Sequence, residues 1–312
     1  MKGLLDKKLI LVVGKGGVGR STVAATIASY LAEQGRRTLL FQFNALDRFG
    51  SFFGKSPLGS DIEELAPNLF GVNTNPKAAM EEYGLMVLKF KRVYKMVFEN
   101  RLTRTFFKAI PGLDDYSVLG KAWFHTTEMN DSKPKWDSVV FDMAASGHCV
   151  TMLNIPKSIT TTVPNGPLTK DAGKIIELLQ NDQQTSVVLT SLAEEMPYNE
   201  SIELAEKLKS QCNIKVSHVV LNQIFPDHFP EPSSKKALTE LLSKNSERAN
   251  QSPALTHAMF SRDRYNLNQS FVQKFQEAFA KTPIYKFPFV FESPISLKHL
   301  STFKNSFTIQ KP

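Results

Sequence analysis

Apolar residues come in short runs of strand length at 9–13, 38–43, 138–141, 185–189, 216–221 and 284–289. Several of these runs are almost unbroken in Val, Leu and Ile, the pattern of strands buried on both faces of a parallel sheet. Between them the spacing turns to three and four residues, predicting helices over 21–34, 170–180, 199–211, 233–244 and 267–280. Strands alternating with helices predict a doubly wound α/β sheet, mostly parallel, whose strand ends meet along one crevice. Residues 245–268 are polar and weakly patterned and read as a surface connection.

One segment breaks the alternation. From 77 to 127 no strand is legible, while Met86, Phe90, Val93, Val97, Phe98, Leu102 and Phe106 recur at helical spacing. The pattern predicts a helical insert between the second and third core strands of a single domain, 1–312. The stretch 89–108 is strongly basic: Lys89, Lys91, Arg92, Lys95, Arg101, Arg104 and Lys108 face only Glu99. A solvated helix face is the plain reading of that charge. An acidic membrane surface or an acidic partner is the functional one, and DNA fits less well.

The 312 residues carry a formal charge of +8, which favours anionic ligands without choosing among them. Two cysteines, Cys149 and Cys212, rule out a disulfide framework, and no pair stands at zinc-ligand spacing. So few cysteines predict a reducing cytoplasm, and no run reaches the roughly 20 apolar residues needed to cross a bilayer.

The chemistry concentrates after the first strand, in Gly14-Lys-Gly-Gly-Val-Gly-Arg-Ser-Thr22. A glycine loop between a strand and a helix is the setting a phosphate-binding loop requires. Gly14, Gly16, Gly17 and Gly19, with Val18 between, let backbone N–H groups approach an anion, and the next helix aims its N-terminus at the same point. Ser21 offers a hydroxyl to Mg2+, with Thr22 beside it. A glycine-rich turn without a ligand is the alternative. Arg20 stands where this motif has lysine. A planar guanidinium is not a conservative replacement for a compact ammonium that reaches the β- and γ-phosphates.

The loop, with its second lysine at Lys15, resembles the deviant Walker A group. Further segments narrow the resemblance to the arsenite-pump (ArsA) and tail-anchored-protein-targeting ATPases. Phe141-Asp-Met-Ala-Ala-Ser-Gly-His148 is similar to their switch II signature, Asp-Thr-Ala-Pro-Thr-Gly-His. Val219-Val-Leu-Asn-Gln223 is similar to their adenine-reading Asn-Gln. Leu189 to Glu200 and Phe287 to Pro294 resemble further family segments, the last an adenine-side loop that includes Pro288.

The resemblance implies a dimeric ATP/ADP-binding protein that uses Mg2+. Lys15 would reach the partner's nucleotide; Gly14, Gly16, Gly17, Val18, Gly19, Arg20, Ser21 and Thr22 would hold phosphate. Ser21 and Asp142 would lie at the metal, and Asn222, Gln223 and Pro288 at the base. The insert 77–127, with 153–168, would be the client or effector subdomain.

Two departures bear on activity. The family's switch I aspartate, which positions the attacking water, aligns with Asn44, and an amide cannot accept that proton as a carboxylate does. Asp47, three residues on, is a possible substitute. With Arg20 also changed, the expected protein is an ATP-binding subunit with weakened hydrolysis, pairing with itself or with a second, intact ArsA-like subunit. The rivals are an active Mg2+-dependent ATPase driving a client or transport cycle, and a membrane or DNA positioning module acting through 89–108. His148 in switch II is a candidate switch residue, and the plain reading of Cys149 is a packing residue.

Overall fold

The computed structural model describes residues 2–43, 46–88, 112–244 and 252–307. Asn44 and the basic stretch 89–108 lie outside the described residues. The core is an eight-stranded sheet: β1 (Leu9–Gly14), β2 (Thr38–Phe43), β3 (Glu63–Ala66), β4 (Leu69–Thr74), β7 (Ser138–Asp142), β8 (Thr185–Leu192), β9 (His218–Ile224) and β10 (Ile284–Pro288). A two-stranded ribbon, β5 (Met129–Asn130) and β6 (Lys133–Pro134), stands apart. The order across the sheet is β10-β9-β8-β1-β7-β2-β4-β3. Every pair is parallel except β3 with β4.

Both sheet faces are covered, and β1 shows the consequence of its side-chain period of two. Leu9, Leu11 and Val13 join one apolar cluster, while Ile10 and Val12 join the other. The second cluster packs under α1 (Arg20–Glu33), α2 (Phe49–Phe52) and α10 (Leu297–Asn305). The first packs under α4 (Leu113–Thr127), α5 (Ser146–Thr162), α6 (Pro167–Gln180), α7 (Glu195–Cys212) and α9 (Pro253–Ala278). The remaining helices are α3 (Pro76–Leu88) and α8 (Pro232–Lys244).

All six strands expected from the apolar runs form. β3 and β4 were not expected. The run Leu69–Thr74 is interrupted by Gly71 and Asn73, which weaken a strand reading. Packing explains the glycine: a Cβ there would lie 2.6 Å from Leu58 Cδ1 and 2.7 Å from Leu65 Cδ1. Helix α5 was also not expected, because Pro156 and a Thr-rich end argue against a helix. Its apolar face, with Met152, Leu153, Ile155 and Ile159 in the core, overrides those local preferences. The expected connection 245–268 is instead helical from Pro253, as the first half of α9.

The ends of the predicted insert are helical, in α3 and α4, which pack on each other. Residues 153–162 belong to α5, and α6 begins at Pro167. Among the described residues no helix is long and apolar enough to cross a membrane.

Candidate functional site

Strand register brings the candidate residues to one edge of the sheet. Val12 pairs with Asp142, Gly14 with Thr190, Leu192 with Asn222, and Pro288 with Ile224. These are the carboxyl ends of parallel strands, with β1 flanked by β7 and β8 where the chain order reverses, the usual place for a ligand crevice. A cavity of about 480 Å³ opens there, within the normal range for small-molecule sites. Gly17, Gly19, Arg20, Ser21, Thr22, Asn222, Gln223 and Pro288 line it, together with Leu46, Arg48, Phe289, Val290, Ile295 and Phe303.

The loop conformation depends on its glycines. Gly14 has φ +154°, and a Cβ on it would lie 2.2 Å from the Thr190 carbonyl oxygen. Gly17 and Gly19 sit at φ +87° and +89°, and Gly19 caps α1. A Cβ on Gly19 would meet Asn222 Nδ2 at 2.1 Å. That amide donates to the Val18 carbonyl at 2.9 Å, and Asn222 Oδ1 accepts the Gln223 N–H at 2.9 Å. Asn222 thus holds the loop from β9 while one further N–H and one further lone pair of its amide stay open for a ligand.

Arg20 is turned onto the loop that carries it. Its Nη1 donates to the carbonyls of Gly14 and Lys15, both at 2.7 Å. Its Nε lies 3.8 Å from Asp142 Oδ1, and both atoms are buried without a hydrogen-bond partner. Ser21 Oγ donates to Asp142 Oδ2 at 2.6 Å. Burial pushes the Asp142 carboxyl up to about 6, against the hydrogen bond from Ser21 and the charges of Arg20 and Arg48.

Magnesium fits this corner. The Ser21 hydroxyl and the unsatisfied Asp142 Oδ1 are hard oxygen donors, and Mg2+ commonly takes only one or two protein ligands beside phosphate and water. No group of three His, Cys, Asp or Glu able to hold a metal occurs among the described residues.

Lys15 points away from the cavity. Its Nζ pairs with Glu200 Oε1 at 2.5 Å, near Met196 Sδ at 3.4 Å, both residues on α7. Gly16 is exposed and Val18 is buried. Both carboxylate oxygens of Asp47 are engaged by the backbone. Its Oδ1 accepts the Phe49 N–H at 3.0 Å, and its Oδ2 those of Gly50 at 2.9 Å and Leu58 at 3.0 Å. That carboxylate is a structural cap for α2 and the loop after it. His148, exposed at the start of α5, bonds Asp115 Oδ2 of α4 at 2.6 Å. Cys149 is fully buried in the core.

Sequence reasoning missed Arg48, Leu46 and Phe303 as cavity residues, and Glu200 as the partner of Lys15. Arg48 had a faint signal, a basic residue shortly past the end of the second strand. The others had none, because each meets the site only through a long-range contact.

A parallel sheet whose first strand leads through a glycine loop into a helix N-terminus, beside an acid at the end of the neighbouring strand, defines a P-loop nucleotide-binding protein. The anion-transporting ATPase family model matches residues 7–165 and 167–250, and the chain belongs to that family. It is 28% identical over 255 residues to ATPase BagA of Mycobacterium tuberculosis, covering 78% of this chain and 72% of that one. To the arsenical pump-driving ATPase of Escherichia coli it is 23% identical over 235 residues, covering 70% of this chain and 39% of the pump ATPase. To ATPase GET3B of Arabidopsis thaliana it is 24% identical over 271 residues, covering 70% and 65%.

Proposed function

We propose that this chain is a cytoplasmic adenine-nucleotide-binding subunit that works as a dimer, with itself or with an intact ArsA-like partner. Hydrolysis is weakened, and nucleotide serves to regulate pairing. One observation carries this reading: the Arg20 guanidinium is committed to the carbonyls of Gly14 and Lys15 and to the neighbourhood of Asp142. A side chain anchored in that way does not swing to the terminal phosphate as the motif's lysine does. Asp47 adds to it, because both of its carboxylate oxygens are already engaged by the backbone N–H groups of Phe49, Gly50 and Leu58. With Asn44 in place of the family's aspartate, no acid from this segment takes the attacking water's proton.

The residues for binding are present. The loop N–H groups between Gly14 and Thr22 would receive phosphate, and Asn222, Gln223 and Pro288 would receive the base. Ser21 and Asp142 would hold Mg2+, which supplies charge neutralisation of the phosphate oxygens when bound. Lys15 would leave Glu200 to reach a partner's nucleotide. The insert 77–127, with 153–168, would present a surface to a client.

An active ATPase is the second reading, favoured by relatives that are named as ATPases, two of them at 28% and 23% identity. Parallel measurement of ATP binding and turnover separates the two, with an Arg20→Lys, Asn44→Asp double variant beside the native chain. Binding without turnover, with turnover restored in the double variant, is expected. Turnover in the native chain well above background, abolished by Lys15→Ala, would establish the second reading instead.

A further inference from the structure

If Arg20 is committed to its own loop, the cavity needs another cation for the end of a triphosphate. Arg48 lines the same cavity as Gly17, Gly19 and Ser21. Its side chain is exposed and makes no salt bridge or hydrogen bond among the described residues. Its backbone, in contrast, is tightly held. The Arg48 carbonyl accepts the Phe52 N–H at 3.0 Å and the Ser51 hydroxyl at 2.7 Å. The preceding Asp47 is fixed by the three N–H groups of Phe49, Gly50 and Leu58. A rigid backbone therefore presents a free guanidinium to the cavity, and only the side chain has to be ordered on binding.

We propose that Arg48 binds the terminal phosphate of a nucleoside triphosphate and so makes this chain discriminate ATP from ADP. The proposal rests on the nucleotide-binding reading above and goes beyond it by naming what reads the third phosphate.

Position and chemistry agree. The cavity runs from the base-side residues Asn222 and Pro288 to the phosphate loop, and the Arg48 charge is felt by Asp142, beside Ser21 at the phosphate end. A guanidinium matches phosphate oxygens with two parallel N–H bonds, which a solvated ammonium does not. ATP carries more negative charge than ADP, and the difference lies at its terminal phosphate, so a cation placed there distinguishes the two. A cation meeting the α- or β-phosphate would not. In a chain that turns over slowly, such a residue reports which nucleotide is bound.

The test is titration of the full chain, with Mg2+, against AMPPNP and against ADP, for the native protein, Arg48→Gln and Arg48→Lys. Because Arg48 is exposed, the nucleotide-free melting temperature of the variants should match the native value. Arg48→Gln is expected to lose about tenfold in AMPPNP affinity, a common size for one charge-assisted phosphate contact, while ADP changes less than about twofold. Arg48→Lys should fall between. Equal losses for both nucleotides, or no loss for either, would overturn the proposal while leaving the nucleotide-binding reading intact. A native chain that binds neither nucleotide would sink that reading, and the role of Arg48 with it.

Discussion

Lys15 Nζ lies 2.5 Å from Glu200 Oε1 of the same chain, so the lysine expected to act on a partner's nucleotide is held at home. Each side chain of the pair is about a third exposed, at 32%. An exposed pair of this kind contributes at most about 1 kcal/mol, little enough for the contacts of the proposed dimer to open it. Glu200→Gln should therefore raise nucleotide-dependent dimerisation by up to about fivefold in the association constant, read by light scattering across a dilution series. Lys15→Ala should lower it. No change in either variant would show that the pair does not restrain dimerisation.

Asp142 gives a pH dependence with a definite sign. Its folded carboxyl titrates near 6 against an ordinary 3.8. The native state therefore holds a proton that the unfolded chain releases. Stability from this group is present below about 4 and declines as pH rises to about 6, by roughly 3 kcal/mol at most. Asp142→Asn should flatten the decline in nucleotide-free melting temperature between pH 4 and 6.5. The Glu128 carboxyl acts with the opposite sign: burial alone would raise it, but hydrogen bonds from His125 and Lys135 outweigh that and hold it at about 2, so its stability is lost as pH falls from about 4.5 towards 2. Asp142→Asn leaves that contribution in place, so the difference between the native and variant profiles isolates Asp142. Mg2+ with nucleotide favours the ionised Asp142 and should stabilise the native protein most above pH 6. Parallel pH profiles for native and variant chains would contradict the assignment.

Asp47→Ala removes the acceptor for three backbone N–H groups, two of them on buried residues at the start of α2. The expected cost is about 2–3 kcal/mol, because the donors lose their partner and water reaches them poorly. Urea unfolding should show a lower midpoint at unchanged slope, with Asp47→Asn less affected since one acceptor oxygen remains. If Asp47 acted on water instead, its loss would lower turnover and leave the midpoint in place.

Gly14→Ala should destabilise the fold by about 2 kcal/mol or more, since the new Cβ meets the Thr190 carbonyl inside the β1–β8 pairing. Thermal unfolding measures this directly. A variant as stable as the native chain would mean that the two strands separate there at little cost.

The sequence by itself determined the α/β architecture, six of the eight sheet strands, the glycine loop and the family. These features are local. An alternating or continuous apolar run specifies a strand, and a glycine loop between strand and helix specifies an anion nest, whatever surrounds them. Only the tertiary structure decided the rest. β4 forms although Gly71 and Asn73 argue against it, because Leu58 and Leu65 close over the glycine. α5 forms through Pro156 because its apolar face completes the core. Asp47 reads as a spare catalytic acid along the chain, yet Leu58, eleven residues away, makes it a cap. Arg20 folds back onto the carbonyls of its own loop, while the capture of Lys15 by Glu200 and the bond from Ser21 to Asp142 depend on which groups arrive from distant strands and helices. A side chain's role at this site follows from those neighbours, and one-dimensional spacing does not encode them.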